Sequence, residues 1–111
     1  MNSTPPPTLP VRIDRTQLQQ AVQLLRAVNH DLRYRILSLL QQQGPLTVTE
    51  IFIALRMEQS IASQHLAILR QADLVTSERD GKYIHYRVHT TRLTKLQSFL
   101  AQISPSDETD A

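Results

Sequence analysis

Apolar residues recur at helical spacing from Leu18 through Ala21, Val22 and Leu25 to Val28, with glutamines filling most positions between them. That stripe predicts a first helix opened by Asp14, which stands three positions ahead of Gln17 in a capping-box-like pair. Asn29 reads as a fresh cap for a second helix from about His30 to Gln43. Its Leu32, Ile36, Leu39 and Leu40 turn inward and its Arg33 and Arg35 elsewhere. Gly44-Pro45 stops it. Thr47 and Glu50 form a second cap-and-return pair, starting a short third helix through about Leu55 with Ile51 and Leu55 on its buried side. Beyond Arg56-Met57-Glu58, a fourth helix from about Gln59 to Ala72 gathers Ala62, Leu66 and Leu69 on one face. Ser60, Gln64 and Gln71 lie nearly opposite, with Ser63 at the edge.

After Asp73 the period switches from helical to alternating. Leu74 to Arg79 and Lys82 to Val88 flank Asp80-Gly81, a dipeptide suited to a two-residue type I′ hairpin. That register sends Val75, Ile84, Tyr86 and Val88 to one side and pairs Arg79 with Lys82 at the tip. Thr90 or Thr91 then caps a last helix carrying Leu93, Leu96, Leu100 and Ile103 at helical spacing. Four helices, two strands and a helix, with a three-residue turn between the third and fourth helices, predict a mainly α fold with a small β-hairpin: a winged helix-turn-helix. The expected domain is 11–103. Residues 1–10, with four prolines, and the acidic stretch 104–111 read as a disordered leader and tail.

At 111 residues one small domain is expected, and the first and last helices each carry a stripe that its core cannot fully cover. Burying either stripe is worth about 5–10 kcal/mol before entropic costs. The simplest arrangement is a twofold homodimer, joined through Leu18, Val22 and Leu25 of the first helix and Leu93, Leu96, Leu100 and Ile103 of the last. The chain has no cysteine, which excludes disulfide scaffolds, zinc fingers and thiol switches. No apolar run reaches the length of a membrane span, and no signal-peptide layout opens the chain. A cytoplasmic protein is expected.

Charge adds one point. All 12 basic residues fall between Arg12 and Lys95, whereas Asp107, Glu108 and Asp110 follow the last helix, so the domain is more basic than the formal net charge of +2. Double-stranded DNA is the matching partner. The fourth helix has no carboxylate after Glu58 and can enter a major groove without repelling phosphates. Ser60, Ser63 and Gln64 are the candidates for base edges and nearby phosphates, with Gln59 and His65 as phosphate or positioning contacts. Arg79 and Lys82 fall at the wing tip, on flanking backbone or minor groove. Arg33 and Arg35 are further phosphate candidates, of which only one can face the duplex well.

Three segments, AVNHDLRYRILSLL (27–40), QSIASQHLAILRQADLV (59–75) and GKYIHYRV (81–88), in this order and spacing resemble the ArsR/SmtB winged-helix repressors of bacteria. The resemblance implies a dimeric repressor that leaves an inverted-repeat operator when a signal arrives. Family members that sense thiophilic metals carry Cys-x-Cys where this chain has Thr47 and Thr49. Those that sense zinc or cobalt on the last helix carry acidic and histidine ligands where it has Thr90, Arg92, Ile103 and Ser106, so neither metal set is present and no cofactor is expected. Arg56 and Asp73 also stand where the family commonly has glycine, which points to strain at Arg56.

Other functions fit less well. A winged helix docking on a protein would need aromatic anchors, and the exposed face of the fourth helix offers only Ile61 and Ile68 beside small polar groups. Nothing assembles an enzyme's acid, base and nucleophile. His85 and His89, four apart on an extended segment, are not in ligand geometry, and Met57 reads as packing in the turn. The effector, an organic molecule or a partner protein if there is one, is left open by the sequence.

Overall fold

The computed structural model describes residues 11–105. The elements run α1 (Arg15–Val28), α2 (Asp31–Gln43), β1 (Leu46–Thr47), α3 (Val48–Leu55), α4 (Gln59–Gln71), β2 (Val75–Asp80), β3 (Tyr83–Val88) and α5 (Thr90–Ile103). The expected leader, and all of the expected tail but Ser104 and Pro105, lie outside the described residues.

The core forms where the apolar stripes of α2, α3 and α4 meet the base of the hairpin. Ile36, Leu40, Ile51, Leu66, Leu69 and Leu74 are its largest fully buried side chains. Leu37 joins them, a position the sequence reading did not place inside. Met57 packs against this core, as the turn reading expected. The sheet has one strand more than expected. β1, Leu46 and the cap residue Thr47 directly after the Gly44-Pro45 stop, pairs antiparallel with β3 through Leu46↔Tyr86 and Thr47↔His85, giving the order β1-β3-β2. Two residues are too few to show alternation, but they seat Leu46 against the core.

The hairpin turn is Gly81-Lys82, not Asp80-Gly81, and Asp80 pairs with Tyr83. Only Gly81 of these two has positive φ (66°), the pattern of a type II′ turn with glycine first, where type I′ needs both. Arg79 therefore faces Ile84 across the strands and Lys82 sits in the turn. The pairing differs from the expected one by two positions. Side-chain parity survives such a slip, so Val75, Ile84, Tyr86 and Val88 still share a face.

Two expected caps are also replaced. Asn29 ends α1, and the cap of α2 is His30, whose Nδ1 accepts the Leu32 N–H at 3.1 Å. His89, not Thr90 or Thr91, caps α5, its Nδ1 accepting from Arg92 N–H at 3.3 Å. A neutral imidazole nitrogen is an acceptor, as an Asx oxygen is. Asp14 caps α1 as expected, at 2.9 Å from Gln17 N. Thr47 and Glu50 complete a reciprocal box: Glu50 N–H donates to Thr47 Oγ1 at 3.2 Å and Thr47 N–H to Glu50 Oε1 at 2.8 Å. Thr47→Ala removes the hydroxyl half of it and is expected to cost about 1 kcal/mol in urea unfolding; an unchanged midpoint would show that the box is not holding α3.

Both helices of the α3–α4 unit close on left-handed residues. Arg56 (φ 55°) ends α3, with Met57 N–H donating to Phe52 O. Asp73 (φ 59°) ends α4, with Leu74 N–H on Leu69 O and Asp73 N–H on Arg70 O. These are Schellman motifs, and the apolar contact that accompanies them is supplied at α4 by Leu69 and Leu74. The two positions where glycine was missing from the resemblance are thus the two non-glycine residues with positive φ among the described residues.

Candidate nucleic-acid interface

With Ala62, Leu66 and Leu69 buried, the helical period forces Ser60, Ser63, Gln64, Ala67 and Gln71 of α4 outward, and all are exposed. Gln59 is exposed beside them at the start of the helix. No side chain caps that start: Glu58 holds the N-cap position without a side-chain hydrogen bond. The first-turn N–H groups therefore stay open to an external acceptor. Arg70 is a further exposed cation on this helix, which the sequence reading did not name.

The wing carries Arg79 and Lys82 at its tip. Arg79 Nη1 donates to Gly81 O at 3.3 Å, folding the guanidinium over the turn, and Lys82 Nζ lies 5.5 Å from the centroid of the Tyr83 ring. Arg87 and Glu78 form an exposed ion pair at 3.3 Å, which neutralises one basic group on the sheet and contributes little stability.

The two arginines of α2 part company. Arg35 is exposed. Arg33 is turned into the protein: its Nε donates to Ala27 O at 2.6 Å, its Nη2 to Arg26 O at 3.2 Å and its Nη1 to His65 Nδ1 at 3.1 Å. A guanidinium held by three internal acceptors is a poor phosphate ligand, so Arg35 is the better candidate of the pair. His65 is drawn the same way. It is partly buried, its ring centroid is 4.6 Å from that of His30, and burial, then His30 and Arg33, hold its pKa below the ordinary histidine value. The sequence suggested His65 as a phosphate or positioning contact but carried no sign of the arginine arriving from another helix.

The helices expected to join two copies also divide. Leu18 (50% exposed), Val22, Leu100 and Ile103 (64%) leave an open apolar surface, to which Phe99 belongs as well. Leu96, at 6% exposure, is part of the chain's own core, and Leu93 and Leu25 pack against it. Leu93 and Leu96 thus help hold α5 to its own protomer, and Leu96 is too buried there to offer a second copy much surface. Between α1, α5 and the start of α2 lies an open groove of about 700 Å³ walled by Val22, Leu25, Leu96, Leu100 and Tyr34.

The profile of the family described as "Bacterial regulatory protein, arsR family" matches residues 30–77, from the cap of α2 into β2. The chain is 36% identical over 67 residues to the arsenical resistance operon repressor of Escherichia coli, a stretch that is 60% of this chain and 57% of that protein. The match thus spans a little over half of that relative's length. To the transcriptional activator HlyU of Vibrio cholerae it is 32% identical over 84 residues, covering 76% of this chain and 77% of that one. Among solved structures, the homodimeric winged helix-turn-helix DNA-binding domain Mb0332 of Mycobacterium bovis matches with a TM-score of 0.67 at 29% identity, over 88% of this chain and 94% of that one. The fold is therefore a winged helix-turn-helix, mainly α with a small three-stranded antiparallel sheet, and the chain belongs to the arsR family of bacterial regulatory proteins.

Proposed function

We propose that the protein is a DNA-binding transcriptional regulator of the cytoplasm, a homodimer that represses from an inverted-repeat operator. The observation that carries this reading is the outward face of α4, small, polar and free of carboxylates, standing beside a wing with two cations at its tip. Such a face admits close approach to base edges, and a twofold pair of them meets successive major grooves about one helical turn apart. Gln64, Ser60 and Ser63 read bases and adjacent phosphates; Gln59, Arg35, Arg79 and Lys82 contact backbone. The exposed apolar residues Leu18, Val22, Leu100 and Ile103 form the surface on which the second copy seats, and Val22 of α1 and Leu100 of α5 line one groove. Repression follows the Escherichia coli relative; the relative from Vibrio cholerae is named an activator, and a reporter gene behind the selected operator decides the direction.

Selection of bound fragments, followed by titration at several salt concentrations, tests the reading. Binding to random duplex is expected to fall steeply with salt, with a log–log slope of roughly −0.9 per phosphate contact. Gln64→Ala is expected to cost about 1–3 kcal/mol on the selected site and to relax preference at one base pair, whereas Arg79→Ala weakens all sequences alike. A flat salt response with no selected site would point instead to a protein partner.

A further inference from the structure

One junction in the molecule joins a groove-entering helix to a helix of the apolar face. His30 caps α2 with its ring 4.6 Å from that of His65 of α4 and tilted 47° to it, while Arg33 of α2 donates to the Arg26 and Ala27 carbonyls in the last turn of α1. Resting on the DNA-binding reading above, we propose that Arg33 and His65 are a positioning pair that locks α4 to the end of α1, and that protonation of His65 opens the lock and lowers discrimination between operator and random DNA.

The chemistry follows from what each group can do. A guanidinium only donates, so the 3.1 Å contact of Arg33 Nη1 requires a lone pair on His65 Nδ1 and places the imidazole proton on Nε2. A second proton would occupy Nδ1, set two donors against each other and add a like charge beside Arg33. The groups acting on the ring are burial, His30 and Arg33, and each favours its neutral form. From α1 the cluster is faced by the carbonyls of Arg26 and Ala27, which hold Arg33 in place whatever the state of His65. Opening the contact therefore frees α4, not Arg33. His65 follows directly on Gln64, so a shift of α4 at this point displaces the side chain assigned to base reading. The new positive charge attracts phosphate without regard to sequence, which is why discrimination, not total affinity, is the quantity that moves.

The experiment uses the full chain, with the selected operator and a random duplex titrated from about pH 7.5 to about pH 5, a range that spans histidine ionisation. For the wild type the ratio of the two affinities is expected to fall about tenfold on acidification, the effect of one lost charge-assisted hydrogen bond. His65→Asn puts an amide oxygen where Nδ1 stood and cannot titrate, so its ratio is expected to stay near the neutral wild-type value throughout. Arg33→Gln is expected to give a low ratio at every pH. In parallel, the His65 ring is titrated by NMR without DNA, where Arg33→Gln is expected to raise its pKa toward the ordinary histidine value. A wild-type ratio that does not move with pH, or a His65→Asn profile that bends as the wild type does, overturns the proposal. An unaltered His65 titration in Arg33→Gln overturns it independently of any DNA measurement. If no duplex is bound at any pH, the DNA reading itself has failed and the positioning role with it, while a raised pKa in Arg33→Gln still supports the contact.

Discussion

Leu100→Glu is expected to leave each protomer folded, convert the dimer to monomers and weaken operator binding at least about a hundredfold. Leu100 is 39% exposed and stands in line with Ile103 and Val22 on the open face of α1 and α5, so its truncation or charging removes nothing from the protomer's own core. Across a twofold interface the same substitution appears in both partners, placing two carboxylates against the apolar Val22, Leu25 and Leu96 of the groove, whose lining also includes Arg26, His30 and Asp31. A dimer on an inverted repeat gains its second half-site as an intramolecular event, an advantage of about 10²–10⁴ in affinity that monomers forfeit. Sedimentation velocity and fluorescence anisotropy on the selected operator measure the two effects, and circular dichroism establishes that the variant is folded. An unaltered sedimentation profile would count against this face as the dimer contact. The distinction between neighbouring leucines matters here: Leu96→Glu, one turn earlier, would bury a charge inside the protomer and unfold it, so its loss of binding would say nothing about assembly.

Leu69→Ala is expected to destabilise the protein by about 2–5 kcal/mol, a large part of the stability of a domain this size. The side chain is fully buried, and its carbonyl accepts the Leu74 N–H that closes the end of α4. Alanine would keep that backbone bond and open a cavity between α4 and the root of β2, in a core where Leu66 and Leu74 have no other way to fill it. At about 4–8 °C per kcal/mol the melting temperature falls by roughly 8–40 °C. Because a dimer's melting temperature depends on concentration, the comparison needs equal protomer concentrations. A cost under about 1 kcal/mol would mean that the core closes without Leu69.

The helices were legible because each carries an apolar stripe at helical spacing, and several are bounded by residues with one plain local role: Asp14 and Thr47 as caps, Gly44 as a stop. The outward face of α4 was legible for the same reason, since once Ala62, Leu66 and Leu69 are inside, the position of Gln64 is fixed by the period alone. What escaped the sequence depended on partners distant along the chain. β1 is a strand only because β3 lies beside it. Leu96 is a core residue only because α5 folds back onto its own protomer. Arg33 looked like a free surface cation until the end of α1 and His65 came within reach of its three donors. The histidine caps were missed because the neighbouring Asn29, Thr90 and Thr91 are the more familiar cap residues, whereas the ring nitrogens of His30 and His89 accept the N–H groups of Leu32 and Arg92.

The left-handed joints at Arg56 and Asp73 bear on how the molecule tolerates change. Each costs on the order of 1 kcal/mol relative to glycine in the folded chain, yet a side chain there also narrows the wandering of the unfolded backbone. Restoring glycine at both places would therefore shift overall stability little. It would soften the two bearings between which the reading helix is slung, so the expected casualty is the fixed tilt of that helix, heard in blurred sequence preference long before any loss of fold.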